Sequence, residues 1–146
     1  MQVITAPERK PITNQSIFLA GTIDDGKSED WQSKLIKEFS EYNITILNPR
    51  RNNWGDLPNN ELHKQITWEL DHLEKADIIF MYIIGTSKSP ISLLEMGIHI
   101  KDSKLIVVCE PEFYRYENVK ITCEYYNAEL YDSLGLGIDA LLSNIE

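Results

Sequence analysis

The sequence predicts an α/β fold, a three-layer domain built on a five-stranded parallel sheet. Two observations carry this. Short apolar runs alternate along the chain with segments of helical periodicity. The runs are also apolar without interruption, Ile78 to Ile84 most plainly, so both faces of those strands need cover, as in a parallel sheet with helices on either side. A length of 146 residues suits one such domain with a single sizeable core.

Residues 1–15 are polar, carry Pro7 and Pro11, and read as a leader before a single domain over 16–146. Ser16 to Gly21 is a short apolar run stopped by glycine, the first buried strand. A helix follows from Ser28, which can cap it; Glu29 and Asp30 suit its positive end, and Trp31, Leu35 and Phe39 share a face. Ile44 to Leu47 is the second strand, ended by Asn48-Pro49. The loop from Arg50 to Asn60 is long and rich in Asn, Gly and Pro, the kind that often carries function.

A second helix spans about Glu61 to Lys75, and the third strand runs from Asp77 to Ile84. Ser89-Pro90 opens the next helix, with serine at the cap and proline in the first turn. Leu105 to Cys109 is the fourth strand, followed by an aromatic-rich connection, Phe113 to Tyr126. A short strand near Leu130 and a helix over about Ser133 to Leu142 complete the pattern. In a flavodoxin-like strand order, the ligand site falls at the carboxyl ends of the first and third of these strands.

Charge and composition narrow the function. A net charge of −9, with no Lys/Arg cluster to offset it, disfavours duplex nucleic acid and anionic membrane surfaces as partners. The first ten residues lack the apolar core of a signal peptide and no run approaches a membrane span, so the expected location is the cytoplasm. Cys109 and Cys123 make neither a disulfide framework nor a metal cluster, and His63, His72 and His99 show no ligand spacing. Neither a metal nor another cofactor is expected.

Two carboxylates ask for a chemical explanation. On a helical wheel Leu62, Ile66 and Leu73 share a narrow arc, and Glu69 falls inside it while Asp71 points away. Glu95 lies early in its helix, among Ile91, Leu94, Ile98 and His99. A charge among apolar residues is costly unless it is partnered or used. The plainer alternatives are that Glu69 bends out to water and that Glu95 meets the helix amino end or His99. Two carboxyls in unlike environments separate into acid and nucleophile, the division that glycosidic cleavage uses.

Gly21-Thr22-Ile23-Asp24-Asp25-Gly26-Lys27-Ser28 fits the phosphate-loop pattern, after a strand and before a helix. Against it, Asp24 and Asp25 would face a polyphosphate with like charge, and Glu110 is the one candidate for a magnesium-binding acid.

Read together, several motifs resemble the nucleoside 2-deoxyribosyltransferase-like family: Ile17-Phe18-Leu19-Ala20-Gly21, Asp30-Trp31-Gln32, Leu47-Asn48-Pro49-Arg50-Arg51, Trp68-Glu69-Leu70-Asp71 with Lys75-Ala76-Asp77, and Ser89 to Gly97. The resemblance covers about residues 16 to 142 and rests on the order and spacing of these motifs. It implies a flavodoxin-like fold and cleavage of the N-glycosidic bond of a nucleoside or nucleotide. It implies that Glu95 attacks the anomeric carbon and that Glu69, where better-known members have Asp, assists the departing base. Asp77 matches the family's strand-opening Asp, and Ser89 the position that meets the 5′ end of the sugar. A homo-oligomer with a shared site is implied as well, with Phe113 to Tyr126 the candidate contribution from a neighbour.

The expected mechanism is a double displacement through a glycosyl-Glu95 ester, with the sugar passed to a free nucleobase or to water. Asn48 and the backbone of Gly21, Thr22 and Ile23 are expected to position base and sugar, with Arg50 and Trp54 as further contacts. The rival readings are a hydrolase that uses water alone and a nucleotide-binding module without chemistry, which Glu in place of Asp at position 69 favours. A magnesium-dependent nucleotide enzyme built on the phosphate-loop pattern is the third.

Overall fold

The computed structural model describes residues 1–52 and 57–146, the side chain of Asp25 excepted. Trp54, expected above as a substrate contact, lies outside the described residues. Among the described residues, six parallel strands are ordered β1-β3-β2-β4-β5-β6. They are β1 (Gln2–Thr5), β2 (Ser16–Gly21), β3 (Thr45–Asn48), β4 (Ile78–Ile83), β5 (Leu105–Cys109) and β6 (Glu129–Tyr131). The α-helices are α1 (Trp31–Glu38), α2 (Asn59–Lys75), α3 (Pro90–His99), α4 (Tyr116–Tyr125) and α5 (Leu134–Asn144). Without β1 the order is that of the flavodoxin-like fold, so the three-layer expectation holds and the count of five strands is corrected to six.

The added strand lies in the supposed leader. β1 pairs with β3 in register, from Gln2 opposite Thr45 to Thr5 opposite Asn48. Only Ile4 of its side chains is fully buried, so four residues leave no periodicity to detect. Tertiary bonds fix it instead: Gln2 Nε2 donates to Pro11 O at 2.9 Å, and Gln2 Oε1 accepts from Thr45 Oγ1 at 2.8 Å.

By contacts the chain forms two compact units. The first comprises Met1–Leu19 and Ile23–Asp77. Its core gathers Ile17, Phe18 and Leu19 from β2, Ile46 and Leu47 from β3, and Trp31, Leu35 and Trp68 from the helices. Asp30, rather than Ser28, caps α1, accepting from Ser33 N at 3.1 Å; Ser28 instead donates its hydroxyl to Ile23 O.

In α2 the buried residues are Gln65, Trp68, His72 and Leu73, whereas Leu62 and Ile66 are about half exposed. The stripe drawn through Leu62, Ile66 and Leu73 is therefore not the inward face. The large ring of Trp68 decides the rotation: it is fully buried, stacks on His72 at 4.1 Å between centroids, and donates Nε1–H to Glu8 O at 2.6 Å. Glu69 consequently sits at the border of the buried face and is half-buried.

The second unit comprises Ala20–Thr22 and Ile78–Glu146. Every residue of β4 and of β5 is buried, as continuous apolar strands require. The two run in register from Ile79 opposite Leu105 to Ile83 opposite Cys109. β6 extends them, with Ile106 opposite Glu129. The aromatic-rich connection after β5 contains a helix, α4, which buries only Val119 and Cys123. Among the described residues, no helix is long and apolar enough to cross a membrane.

Candidate active site

In this strand order the chain turns from one side of the sheet to the other after β2 and β3, so the carboxyl ends of β2 and β4 mark the switch point. Both belong to the second unit. Thr22 N donates to Tyr82 O at 2.9 Å, which fastens the end of β2 beside β4. Gly21 makes this approach possible. Its φ of +124° is a backbone setting that L side chains rarely adopt, and a Cβ there would lie 2.0 Å from Tyr82 O.

Three hydroxyls meet at this point. Thr22 Oγ1 lies 2.7 Å from Ser89 Oγ and 3.1 Å from Ser87 Oγ, and the two serine oxygens are 2.8 Å apart. All three residues are buried. Thr22 Oγ1 also accepts from Ile84 N at 3.0 Å, and Ser87 Oγ donates to Ile84 O at 2.7 Å. The structure thus joins Thr22 and Ser89, both predicted from sequence, and adds Ser87. The run Ser87-Lys88-Ser89 between strand and helix was its one visible signal.

Ser89 precedes α3 as expected, with Pro90 in the first turn, but its hydroxyl caps nothing. It adopts the left-handed conformation (φ 44°, ψ 51°), which costs a non-glycine residue about 1–2 kcal/mol. Strain of this kind persists where the surroundings over-determine it, and often where a site needs it. Here the conformation turns the hydroxyl away from the helix and onto Thr22 and Ser87.

From that start α3 carries Ser92, Glu95, Met96 and His99 on its buried face. Glu95 is only 7% exposed. Its i+4 neighbour His99 is engaged elsewhere, with Nδ1 2.7 Å from Asp102 Oδ2. The opposite face, with Ile91, Leu94 and Ile98, is about half exposed. The apolar residues read around Glu95 therefore lie on the outward side, and Glu95 itself turns inward.

Glu69 belongs to the first unit. Burial pushes its carboxyl up to about 7, against a hydrogen bond from Gln65 and the charge of Arg51, both of which pull it down. Gln65 Nε2 donates to Glu69 Oε2 at 3.0 Å and to Pro49 O at 2.8 Å, while its Oε1 accepts from Arg51 Nε at 3.0 Å. Arg51 is buried and also lies 3.4 Å from Glu61. Its remaining nitrogen, Nη2, has no hydrogen-bond partner among the described residues. The sequence reading missed Gln65 and Arg51, although Gln65 stands one helical turn before Glu69.

Other expected contacts have identifiable tasks in the first unit. Asn48 Oδ1 accepts from Arg50 N at 3.0 Å, closing a turn at the end of β3. Asn48 and Arg50 both line a polar cleft of about 640 Å³, with Thr5, Ser28 and Ser33. The Arg50 guanidinium is occupied by the segment before α1 and the first turn of that helix, bonding Gly26 O, Ser28 O and Glu29 O and, within α1, Gln32 Oε1. Asp77 stands just before β4, at its amino end, where Oδ2 accepts from Ser16 N at 2.9 Å and holds the start of β2.

In the phosphate-loop segment, the amides of Gly26 and Ser28 bond Ile23 O, and that of Lys27 bonds Asp24 O. These donors close the turn on itself rather than form an anion cradle. Thiol chemistry has equally little support. Burial pushes Cys109 up to about 12 and Cys123 to about 11, so neither is a thiolate at neutral pH.

In open α/β sheets ligands bind outside the carboxyl ends of the strands at the switch point, and here that position carries a buried hydroxyl cluster followed by a helix that buries a carboxylate. The family comparison makes this specific. Residues 14–113 match the family model described as nucleoside 2-deoxyribosyltransferase like, and the chain belongs to that family. The matched span includes Glu69, Ser89 and Glu95 and ends before α4. No curated protein matches the chain.

Proposed function

We propose that this protein cleaves the N-glycosidic bond of a nucleoside or nucleotide through a covalent glycosyl-Glu95 intermediate. The observation that carries the reading is the burial of Glu95 on the helix that Ser89 opens. Family membership supports the chemistry. The Glu95 carboxylate forms a bond to C1′ as the glycosidic electron pair leaves with the base. Glu69, held largely neutral at mildly acidic pH, gives its proton to the departing base nitrogen. A second base, or water activated by the resulting Glu69 carboxylate, then takes the sugar from Glu95 with net retention.

The three hydroxyls are assigned to the 5′ end of the sugar, and the Gly21 to Ile23 backbone with Asn48 to base and sugar. The same reading places the protein in the cytoplasm as a homo-oligomer with a shared site. The exposed stripe of Ile91, Leu94 and Ile98 supports the oligomer.

The test is incubation with a panel of nucleosides, deoxynucleosides and their 5′-monophosphates, with and without free bases, followed by chromatography. Base exchange identifies a transferase, and base release alone identifies a hydrolase. Glu95→Gln abolishes either activity, and the intact-mass increment of one glycosyl group disappears with it. Ligand binding with every compound recovered intact would instead establish a binding module.

A further inference from the structure

Gln65 is 1% exposed and has both ends of its side-chain amide engaged by groups of fixed polarity. Arg51 Nε can only donate, so the atom it meets at 3.0 Å is the Gln65 oxygen. Pro49 O can only accept, so the atom 2.8 Å from it is the Gln65 nitrogen. The amide orientation follows from the network itself. One N–H of Gln65 is then committed to Pro49 O, and the other points at Glu69 Oε2 over 3.0 Å.

The consequence lies in Glu69. An oxygen that already receives an N–H is the carbonyl-like oxygen of a neutral carboxyl group. We propose that Gln65, anchored by Arg51 and Pro49, is the positioning residue for proton transfer. Its amide occupies Glu69 Oε2 and confines the transferable proton to Oε1. This rests on the reading of Glu69 as the general acid. When Glu69 gives up that proton, the O–H pair of electrons stays on the carboxylate and the proton passes to the departing base nitrogen. Gln65 remains in place as donor to the carboxylate so formed. The same contact favours the charged form, so it also tempers the upward push of burial and keeps the group exchangeable near neutral pH.

The test is a ¹³C NMR titration of the Glu69 side-chain carboxyl in the full chain, wild type against Gln65→Met, beside the pH dependence of kcat. Methionine keeps the length and packing of the side chain but cannot donate. In Q65M the Glu69 midpoint moves up by about one pH unit, the excess of a hydrogen bond to the charged form over the same bond to the neutral form. The basic limb of the kcat profile moves with it. An unmoved midpoint overturns the assignment, and so does a moved midpoint with an unmoved kcat profile. If Q65M fails to fold, the wild type still decides. The Gln65 side-chain amide resonances shift with the Glu69 midpoint, and an amide indifferent to that titration overturns the proposal. The titration needs no substrate, so a wild type without turnover counts against the catalytic reading alone.

Discussion

Glu69 makes the stability of the fold depend on pH in a direction opposite to the usual carboxylate. Its carboxyl titrates at about 7 in the folded chain, against 4.5 as the ordinary value. Between those values the folded state binds more protons than the unfolded one, so stability falls as pH rises and levels off above about 7. The full shift of about 2.5 units, at 1.36 kcal/mol per unit, amounts to roughly 3.4 kcal/mol. Between pH 5 and pH 8 the two-pKa expression leaves about 2.5 kcal/mol of this. Glu69 keeps some solvent access, so screening brings the expectation to about 1–2.5 kcal/mol. The perturbation is Glu69→Gln, which removes the titration while keeping shape and polarity. Urea unfolding of both proteins at pH 5, 6, 7 and 8 gives the difference in unfolding free energy, in which other titrating groups cancel. Relative to the wild type, E69Q gains stability as pH rises. A difference that stays constant from pH 5 to 8 would refute the placement of Glu69 in a desolvating environment.

Gly21→Ala places a Cβ 2.0 Å from Tyr82 O at a φ of +124°, and costs about 3–5 kcal/mol by denaturant titration. A loss under 1 kcal/mol would mean that β2 does not meet β4 as described. At position 89 glycine outranks alanine, because glycine relieves the left-handed strain while alanine keeps it, and both lose the bonds to Thr22 and Ser87. Melting curves therefore place S89G above S89A by the equivalent of about 1 kcal/mol, and both lose activity; the reverse order would contradict the conformation of Ser89. Leu94→Glu charges the exposed stripe of α3, so light scattering shows the wild type as an oligomer and the variant at lower mass, with unchanged melting. A monomeric wild type removes that interface from the proposal.

The strands and their order were legible because continuous apolar runs bounded by polar or glycine residues have few alternatives. β2 falls on Ser16–Gly21 as read, and β5 on Leu105–Cys109. β1 was not legible, since its stability comes from the edge that β3 offers and from Gln2 bonding at long range. The α2 wheel failed for a related reason. Periodicity counts apolar residues, but the rotation of the helix is set by the residue with most to bury, Trp68, with Gln65 and His72 beside it.

The same division runs through the candidate site. Sequence alone singled out Glu95 and Glu69, because carboxylates in apolar settings stand out one residue at a time; Ser89 was expected from the family resemblance, and Thr22 only through its backbone. What surrounds them depends on residues distant in the chain. Ser89 meets Thr22 across 67 positions, and Arg51 reaches Gln65 across 14. Composition and periodicity carry no record of hydrogen-bond direction or of a left-handed backbone at a serine. The chain itself therefore determined which chemical groups are present and in what order of elements. Tertiary structure alone decided which hydroxyls share protons and which amide faces the Glu69 carboxyl, because burial and bond geometry exist only once distant segments are packed.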